Sequence, residues 1–403
     1  MRLLYLVDHW PGLFEAYLLR EVQWMRQRGH SVAVLSLGSG GPHGFRNETK
    51  NQVDLTQFGL DDIRTLQLDY RHMTNAQVVR ESVAFVREQQ VELVDAHLAR
   101  EPAEVACQVH LAAGVPFSVR MRGGDVHSNT SPVLAEILRC ASAICPMSQF
   151  LADVLVGNRT LKKTPHGIPV AVDSGKLHVI PNSLPAKYLL KTPAPQRDDQ
   201  QVIGAIGRTV PVKRFQDLIE AVADLVPDFP GLRLKIVGGG VLLPELQALA
   251  ARLGMAGQFD ITGFKSWTEV MTLVRQFHIY VQSSELEGCS LANIEAGFQG
   301  LPLVLSRTGT NEQCVEHGVN GYLFDPGDRA TLRENLRCLL LGGARKRERM
   351  GNASLNIVGS RFSAENIMPL LETIFQNAID RSRQSRQMSL ATIGGLSGGK
   401  FNG

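Results

Sequence analysis

The sequence predicts an α/β protein of two consecutive doubly wound parallel-sheet domains. Three observations carry that prediction. Short apolar runs alternate with segments of helical periodicity from the first residues onward. A polar, Pro-bearing stretch, "KTPAPQRDDQ" at 191–200, has the composition of a linker. The rhythm then restarts, in a chain of 403 residues that is too long for one ordinary core.

Taken in order, "LLYLV" (3–7) suits a buried parallel strand, and "DHWPGL" breaks it. In "FEAYLLREVQWMRQRG" (14–29), Phe14, Tyr17, Leu18, Val22 and Met25 share one helical face, and Gly29 is a fitting stop. "SVAVLSL" (31–37) is the next strand and completes a βαβ opening. "VELVDAHLA", "PFSVRMRGGD" and "KLHVIPNS" read as further strands with polar or glycine punctuation. After the linker, "VIGAIG" (202–207), "LRLKIVGGG" (232–240), "QFDITGF", "HIYVQSS", "LPLVLS" and "NGYLFD" read as strands. Helical patterns such as "FQDLIEAVADL" (215–225) separate the earlier ones. The expected boundaries are 1–190, 191–364, a C-terminal helix over 365–382 that returns to the first domain, and a disordered Gly/Ser-rich tail over 383–403. In paired sheets of this kind, ligands sit beyond the carboxyl ends of the strands, facing a cleft.

Composition narrows the function. Residues 1–190 hold 19 basic and 18 acidic side chains, and 191–403 hold 23 and 21. Neither half is a basic arm, so nucleic acid is not an expected partner. No run of apolar residues is long enough to span a membrane, and the first apolar run meets Asp8 too soon for a signal peptide. The six cysteines, at 107, 140, 145, 289, 314 and 338, form no CxxC pair and no zinc spacing. They read as small buried thiols of a cytoplasmic protein. Lys162–Lys163 and "RKRER" (345–349) read as solvated faces, with peripheral contact to the inner membrane surface as the lesser reading.

The chemistry concentrates in "SSELEGCSLANIEAG" (283–297). A strand ends, "ELEG" turns, and Ser290 is a good N-cap for the helix that follows. Glu287 then lies in the loop and Glu295 about one turn into the helix. The helix N-terminus seats phosphate. Two carboxylates beside such a seat suit the vicinal hydroxyls of a sugar and a ribose. Arg208 and Lys213 of "GRTVPVKRFQDL" supply cations for a diphosphate. No DxD stands near them to hold a divalent metal, so the expectation is a site with no metal and no cofactor.

"GRTVPVKRFQDLIEA", "LRLKIVGGG", "ITGF" and "SSELEGCSLANIEAGFQGLPLVLSRTGTNEQCVEHGVNGYLFDPGD" together resemble the retaining glycosyltransferases of family 4. The likeness covers nearly the whole chain and is specific from 202 to 327. "GLFEAYLLREVQWMRQRGHSV" and "VDAHLAREPAEVA" resemble, more loosely, the bacterial exopolysaccharide and lipopolysaccharide branch. The resemblance implies the GT-B fold, two Rossmann-like domains with the acceptor on the N-terminal side. It implies a UDP- or GDP-linked sugar donor and a glycan or lipid-linked acceptor. Arg208 and Lys213 then match the diphosphate-binding pair, and Glu287 and Glu295 match the E-x7-E signature that serves donor sugar and ribose. The backbone of Ser290 and Leu291 meets the phosphates. Gly207 and Gly288 border the donor, and Gly263 and Phe264 lie near the base. On the acceptor side stand Pro11, Gly12, His97, Arg122 and Asp125.

One position departs from the pattern. Many members carry a histidine three residues before the aspartate of the "PFSVRMRGGD" loop, where this chain has Arg122. Asp125 is kept, and His127 is shifted. Each residue also has a plainer reading. Glu287 and Glu295 alone suit solvated helix-end charges, "VGGG" alone suits an ordinary turn, and His97 suits a satisfied core histidine. The basic pair and glycine loops in one register favour the nucleotide-sugar site. Two rival functions stay open: a nucleotide-sugar epimerase of the same fold, and a non-catalytic glycan or nucleotide-sugar binding scaffold.

Overall fold

The computed structural model describes residues 1–10, 16–38, 55–123, 125, 132–159, 172–193 and 201–396. The chain divides into two compact units. The first contains Met1–Met147, Leu151–Ile180 and the chain from Met368 on; the second contains Ser148–Phe150 and Pro181–Ile367.

The first unit holds β1 (Arg2–Val7), α1 (Ala16–Gln27), β2 (Ser31–Ser36), β3 (Arg64–Gln67), α2 (Asn75–Glu88), β4 (Leu93–His97), α3 (Glu101–Ala113), β5 (Phe117–Met121), α4 (Pro132–Cys140) and β6 (Ala143–Pro146); α5 (Gln149–Leu155) follows. Its six strands lie in the order β3-β2-β1-β4-β5-β6, all parallel. β1 is the central strand, so Leu3 to Val7 are buried on both faces, as its unbroken apolar run requires. α2 begins with a capping box: Gln77 N–H donates to Thr74 Oγ1, and the Gln77 side chain accepts from Thr74 N–H. α3 ends at Gly114, which is left-handed.

Three differences from the sequence reading have local causes. β3, "RTLQ", is an exposed edge strand with no apolar run to announce it. β6, "AICP", is four residues long and stops at a proline. "KLHVIPNS" is not a regular strand. Only Leu177 bridges Ile144, although His178 and Ile180 donate to Ile144 O and Pro146 O at 2.9 Å each. Pro181 has no N–H with which to continue that ladder.

The second unit holds β7 (Gln201–Ile206), α6 (Phe215–Ala223), β8 (Leu232–Val237), α7 (Leu243–Arg252), β9 (Phe259–Ile261), α8 (Trp267–Val274), β10 (Ile279–Gln282), α9 (Leu291–Phe298), β11 (Leu303–Ser306), α10 (Asn311–Cys314), β12 (Gly321–Phe324), α11 (Arg329–Leu341) and α12 (Gly343–Phe362). The order β12-β11-β10-β7-β8-β9 is the same topology traced from the other edge. Two apolar clusters pack here. One gathers Ile203, Leu218, Leu234 and Leu336, and the other gathers Val237, Tyr280, Ile294 and Phe298. β7 and β10 are neighbours at the switch point of this sheet. The loops leaving their carboxyl ends are where an open α/β sheet binds ligands.

The last helix, α13 (Ala364–Leu396), starts in the second unit and continues past 382, where the sequence reading ended it. "RSRQSRQMSLA" is rich in Arg, Gln, Met and Leu, all good helix formers, and the Gly/Ser-rich composition begins only after it. The Gln376 side chain donates to Asp380 at 3.0 Å, four residues along the helix.

Candidate functional site

The two loops at the switch point are clipped together by main-chain oxygens. Ser283 Oγ lies 2.9 Å from Lys213 O and 3.1 Å from Arg214 O, and Glu285 N–H donates to Val212 O at 2.8 Å. Arg214 adopts the left-handed conformation (φ 48°, ψ 40°), which turns the chain from the loop into α6. Its guanidinium donates to Asp217 at 2.6 Å.

This clip sets Lys213 against Glu287. Lys213 Nζ and Glu287 Oε1 are 2.5 Å apart, with side-chain exposures of 14% and 12%. Ser284 Oγ donates to the same carboxylate oxygen at 2.7 Å. Glu287 N–H donates to Thr308 Oγ1 at 3.2 Å, and Thr310 N–H to Gly288 O at 3.1 Å, so the loop after β11 fixes the acid from the other side. Gly309, at φ 56°, permits that approach: a Cβ there would stand 2.4 Å from Glu287 O. Lys213 is half-buried, because the Glu287 carboxylate of the neighbouring loop faces it. Arg208 is exposed at the start of the same loop.

Ser290 occupies the N-cap position of α9, but its hydroxyl caps nothing. It accepts instead from Gln282 Nε2 at 2.8 Å. Gln282 belongs to a buried amide network with Asn293 and Asn311, in which Asn293 Nδ2 reaches Asn311 Oδ1 at 2.6 Å and Tyr280 OH donates to Asn293 Oδ1 at 3.1 Å. The expected cap is therefore corrected. With Ser290 engaged below, its side chain is not what satisfies the first N–H groups of α9, and these suit an anion.

Glu295, in the second turn of α9, is 5% exposed and accepts from Trp267 Nε1 at 2.7 Å. Trp267 was invisible to the sequence reading, because its tie to Glu295 spans separate elements. Its ring meets Tyr188 edge-on at 4.8 Å. The "VGGG" loop does more than turn. Gly238, at φ 146°, lets the chain pass Gly207, whose carbonyl would stand 2.0 Å from any Cβ. Phe264 is 44% exposed and leans on Gly239, while Gly263 is left-handed at φ 71°.

Residues 190–356 match the family described as glycosyl transferases group 1. The match covers this segment alone, under half of the chain. The segment contains every residue expected on the donor side. A Rhizobium meliloti lipopolysaccharide core biosynthesis glycosyltransferase, LpsE, is 34% identical over 139 residues, which is 34% of this chain and 38% of that protein. A Streptomyces coelicolor exopolysaccharide phosphotransferase is 26% identical over 53% of this chain and 22% of its own. The chain thus spans well under half of these curated relatives. The 2-deoxystreptamine glucosyltransferase of Streptomyces kanamyceticus matches more widely, at 23% identity over 81% of this chain and 89% of its own. Among solved structures, Anabaena HepE in complex with UDP superposes with a TM-score of 0.71 at 20% identity, covering 93% of this chain and all of that one. The lipopolysaccharide outer core galactosyltransferase WaaB, in its apo form, gives 0.70 at 17% identity over 94% and 99%. These likenesses show the GT-B fold.

Outside residues 190–356, the first unit carries the acceptor-side expectations. Pro11 and Gly12 lie outside the described residues. His97 is 3% exposed at the carboxyl end of β4, stacked on Tyr5 at 5.3 Å. Asp95 Oδ2 lies 2.9 Å from its Nε2, but the two are not aligned as a hydrogen bond. Glu21 completes the group: ligand atoms of Glu21, Asp95 and His97 all lie within 4.8 Å of one another. Arg120 already brings a positive charge there, 3.3 Å from Glu21, and Tyr5 donates to Glu21 at 3.0 Å. The cluster is therefore a buried ion-pair network rather than an acidic nest awaiting an ion. Burial works against the Asp95 carboxylate, but His97, Arg120 and Ser118 outweigh it and hold its pKa below the usual range. Sequence reasoning missed Glu21 and Arg120, although a charge inside "PFSVRM" was a usable signal.

Asp125 is 1% exposed. It accepts from Arg122 N–H at 2.8 Å and lies 3.4 Å from Arg100 Nε, while burial pushes its carboxyl pKa up. Arg122 stacks over the Tyr17 ring at 4.5 Å. The arginine at the position where a histidine was expected thus sets its guanidinium over an aromatic face, a cation–π contact.

Among the described residues, the cysteines are free. Cys107, Cys145 and Cys314 are buried as expected, but Cys140, Cys289 and Cys338 are only half-buried. No helix among the described residues is long and apolar enough to cross a membrane.

Proposed function

We propose that the chain is a retaining glycosyltransferase that moves a sugar from a UDP- or GDP-sugar to a hydroxyl of a cell-surface glycan or glycolipid. The observation that carries this reading is the Lys213–Glu287 pair held at 2.5 Å in front of α9. A carboxylate beside a phosphate seat repels the phosphate unless its charge is offset. Lys213 and the Ser284 hydroxyl offset it, so Glu287 keeps acceptor capacity for sugar hydroxyls without expelling the diphosphate. Arg208, exposed nearby in sequence, is then the cation that meets the leaving diphosphate.

Glu295, oriented by Trp267, is suited to the ribose, and the exposed Phe264 face to the base. The likeness to HepE, which was also crystallised with UDP-glucose, supports a UDP-linked donor. In the proposed reaction the donor diphosphate leaves, Arg208 and Lys213 absorb its charge, and the acceptor hydroxyl attacks from the same face. A phosphate oxygen takes the proton. Positioning and charge stabilisation supply most of the effect, and no metal enters the scheme. The proposed location is the cytoplasm, with peripheral contact at the membrane face.

The deciding experiment incubates the protein with a panel of nucleotide sugars and follows nucleotide release with and without glycan acceptors, together with the anomeric configuration of the product. Acceptor-dependent release with retained configuration is expected. Interconversion of the donor without acceptor points instead to an epimerase, and binding without release to a scaffold.

A further inference from the structure

A cavity of about 700 Å³ opens at the amino edge of the first unit's sheet, the opposite edge from His97 and Asp125. Its walls come from the segments that enter β5 and β6 and from the C-terminal half of α13. Lys176, Arg381 and Arg386 line it.

These three cations share one feature: main-chain oxygen holds each of them. Lys176 Nζ donates to Arg139 O at 2.9 Å, and Arg381 Nη2 to Ser142 O at 3.3 Å; Arg386 Nη2 bonds Gly114 O. The ion pairs on this stretch of α13 involve Arg383 instead, with Glu92 and Asp380. Carbonyl dipoles orient a cation without neutralising it, so three positive charges are presented to one cavity in fixed positions. His178 registers that field: burial first, and then Arg381, push its imidazole pKa below the usual value. A second cavity of about 300 Å³ shares Arg386 and adds Arg2 and Arg87.

We propose that this cavity binds a phosphoryl-bearing anion, either a soluble phosphate ester or the headgroup of an anionic lipid. Two guanidinium forks and an ammonium suit a tetrahedral oxyanion better than a single carboxylate, because they can reach several oxygens at once. The volume exceeds one phosphate and leaves room for the remainder of an ester. This site is independent of the proposed donor chemistry, since none of its residues lies in the segment 190–356 that matches group 1 glycosyl transferases.

The test uses the full chain, an Arg381→Gln/Arg386→Gln double variant, and Lys176→Gln as a second variant on another element. Calorimetry follows inorganic phosphate. Sedimentation follows phosphatidylcholine vesicles with and without phosphatidylglycerol. The thermal midpoint and the UDP affinity of each variant report the fold and the donor site. Removing even one charge-assisted donor weakens binding by roughly tenfold, and removing two by at least as much. Phosphate binding that falls by that factor in both variants, with UDP affinity unchanged, establishes a soluble ester site. Binding only to vesicles with phosphatidylglycerol, lost in the variants, establishes a headgroup site. A wild-type protein that binds neither probe, or variants that bind both as the wild type does, overturns the proposal.

Discussion

Removing the ammonium of Lys213 tests both the geometry and the chemistry of the switch-point site. In Lys213→Met, Glu287 keeps the Ser284 hydroxyl at 2.7 Å but loses its partner at 2.5 Å. Breaking one side of a fully buried pair costs about 3–5 kcal/mol, and an exposed pair is worth at most about 1 kcal/mol. With side-chain exposures of 14% and 12%, this pair falls between those limits. A destabilisation of about 2 kcal/mol follows, roughly thirtyfold in the folded-to-unfolded ratio. Glu287→Gln costs a similar amount. The double variant recovers most of one of these losses, because no uncompensated charge is left behind, so the coupling energy is about 1.5–2 kcal/mol. Turnover behaves differently. On the proposed mechanism, Lys213→Met loses about 3–4 kcal/mol of stabilisation of the departing diphosphate, a rate loss of roughly a hundredfold to a thousandfold. The double variant does not recover that loss. Urea unfolding of the four proteins, beside nucleotide-release rates, makes the comparison. A coupling energy under about 0.5 kcal/mol would refute the ion pair as a structural element. Turnover within a few-fold of wild type in Lys213→Met refutes its role in the reaction.

Further outcomes are expected at neighbouring positions. Glu295→Gln weakens free UDP binding by roughly 10- to 100-fold, whereas Glu287→Gln leaves it nearly intact and lowers transfer, since the ribose is present in the nucleotide and the sugar only in the donor; calorimetry and initial rates on both variants check this, and the reverse pattern exchanges the two assignments. Activity persists in excess EDTA, because on the proposed mechanism side chains rather than an ion neutralise the diphosphate; loss on chelation that Mg²⁺ or Mn²⁺ restores overturns the scheme. Gly309→Ala costs about 2 kcal/mol or more and also depresses transfer, because its Cβ would stand 2.4 Å from Glu287 O and must displace that loop; thermal unfolding and rates read the two effects. Cys338 is alkylated first: hydrogen bonds from Lys346 Nζ at 2.9 Å and the Tyr322 hydroxyl at 3.4 Å lower its thiol pKa, so its thiolate persists to lower pH than that of a free thiol. Burial instead pushes Cys107 and Cys145 up to about 12, and peptide mapping after iodoacetamide over a pH series shows the order.

The sequence by itself determined the two alternating α/β units and singled out the residues proposed for the donor side. Both follow from local rules. Apolar runs and helical periods declare strands and helices one at a time, and an acid–glycine–helix stretch declares a phosphate seat wherever it falls. What only the tertiary structure decided is which distant residues meet. Lys213 and Glu287 are 74 positions apart, and neither local sequence says that Ser283 clips the two loops together and half-buries the lysine. Trp267 orients Glu295 across 28 positions. Glu21, Asp95, His97 and Arg120 come from α1, β4 and β5, and only the strand order puts them in one buried network. β3 was silent because an exposed edge needs no apolar run, and β6 because its buried apolar run is only four residues long. The extension of α13 was hidden because the Gly/Ser composition of the last residues masked the helix formers before them. For the site residues, the missing information is a pairing between positions far apart along the chain, and strand order with the loop contacts it brings about supplies it where local propensity cannot.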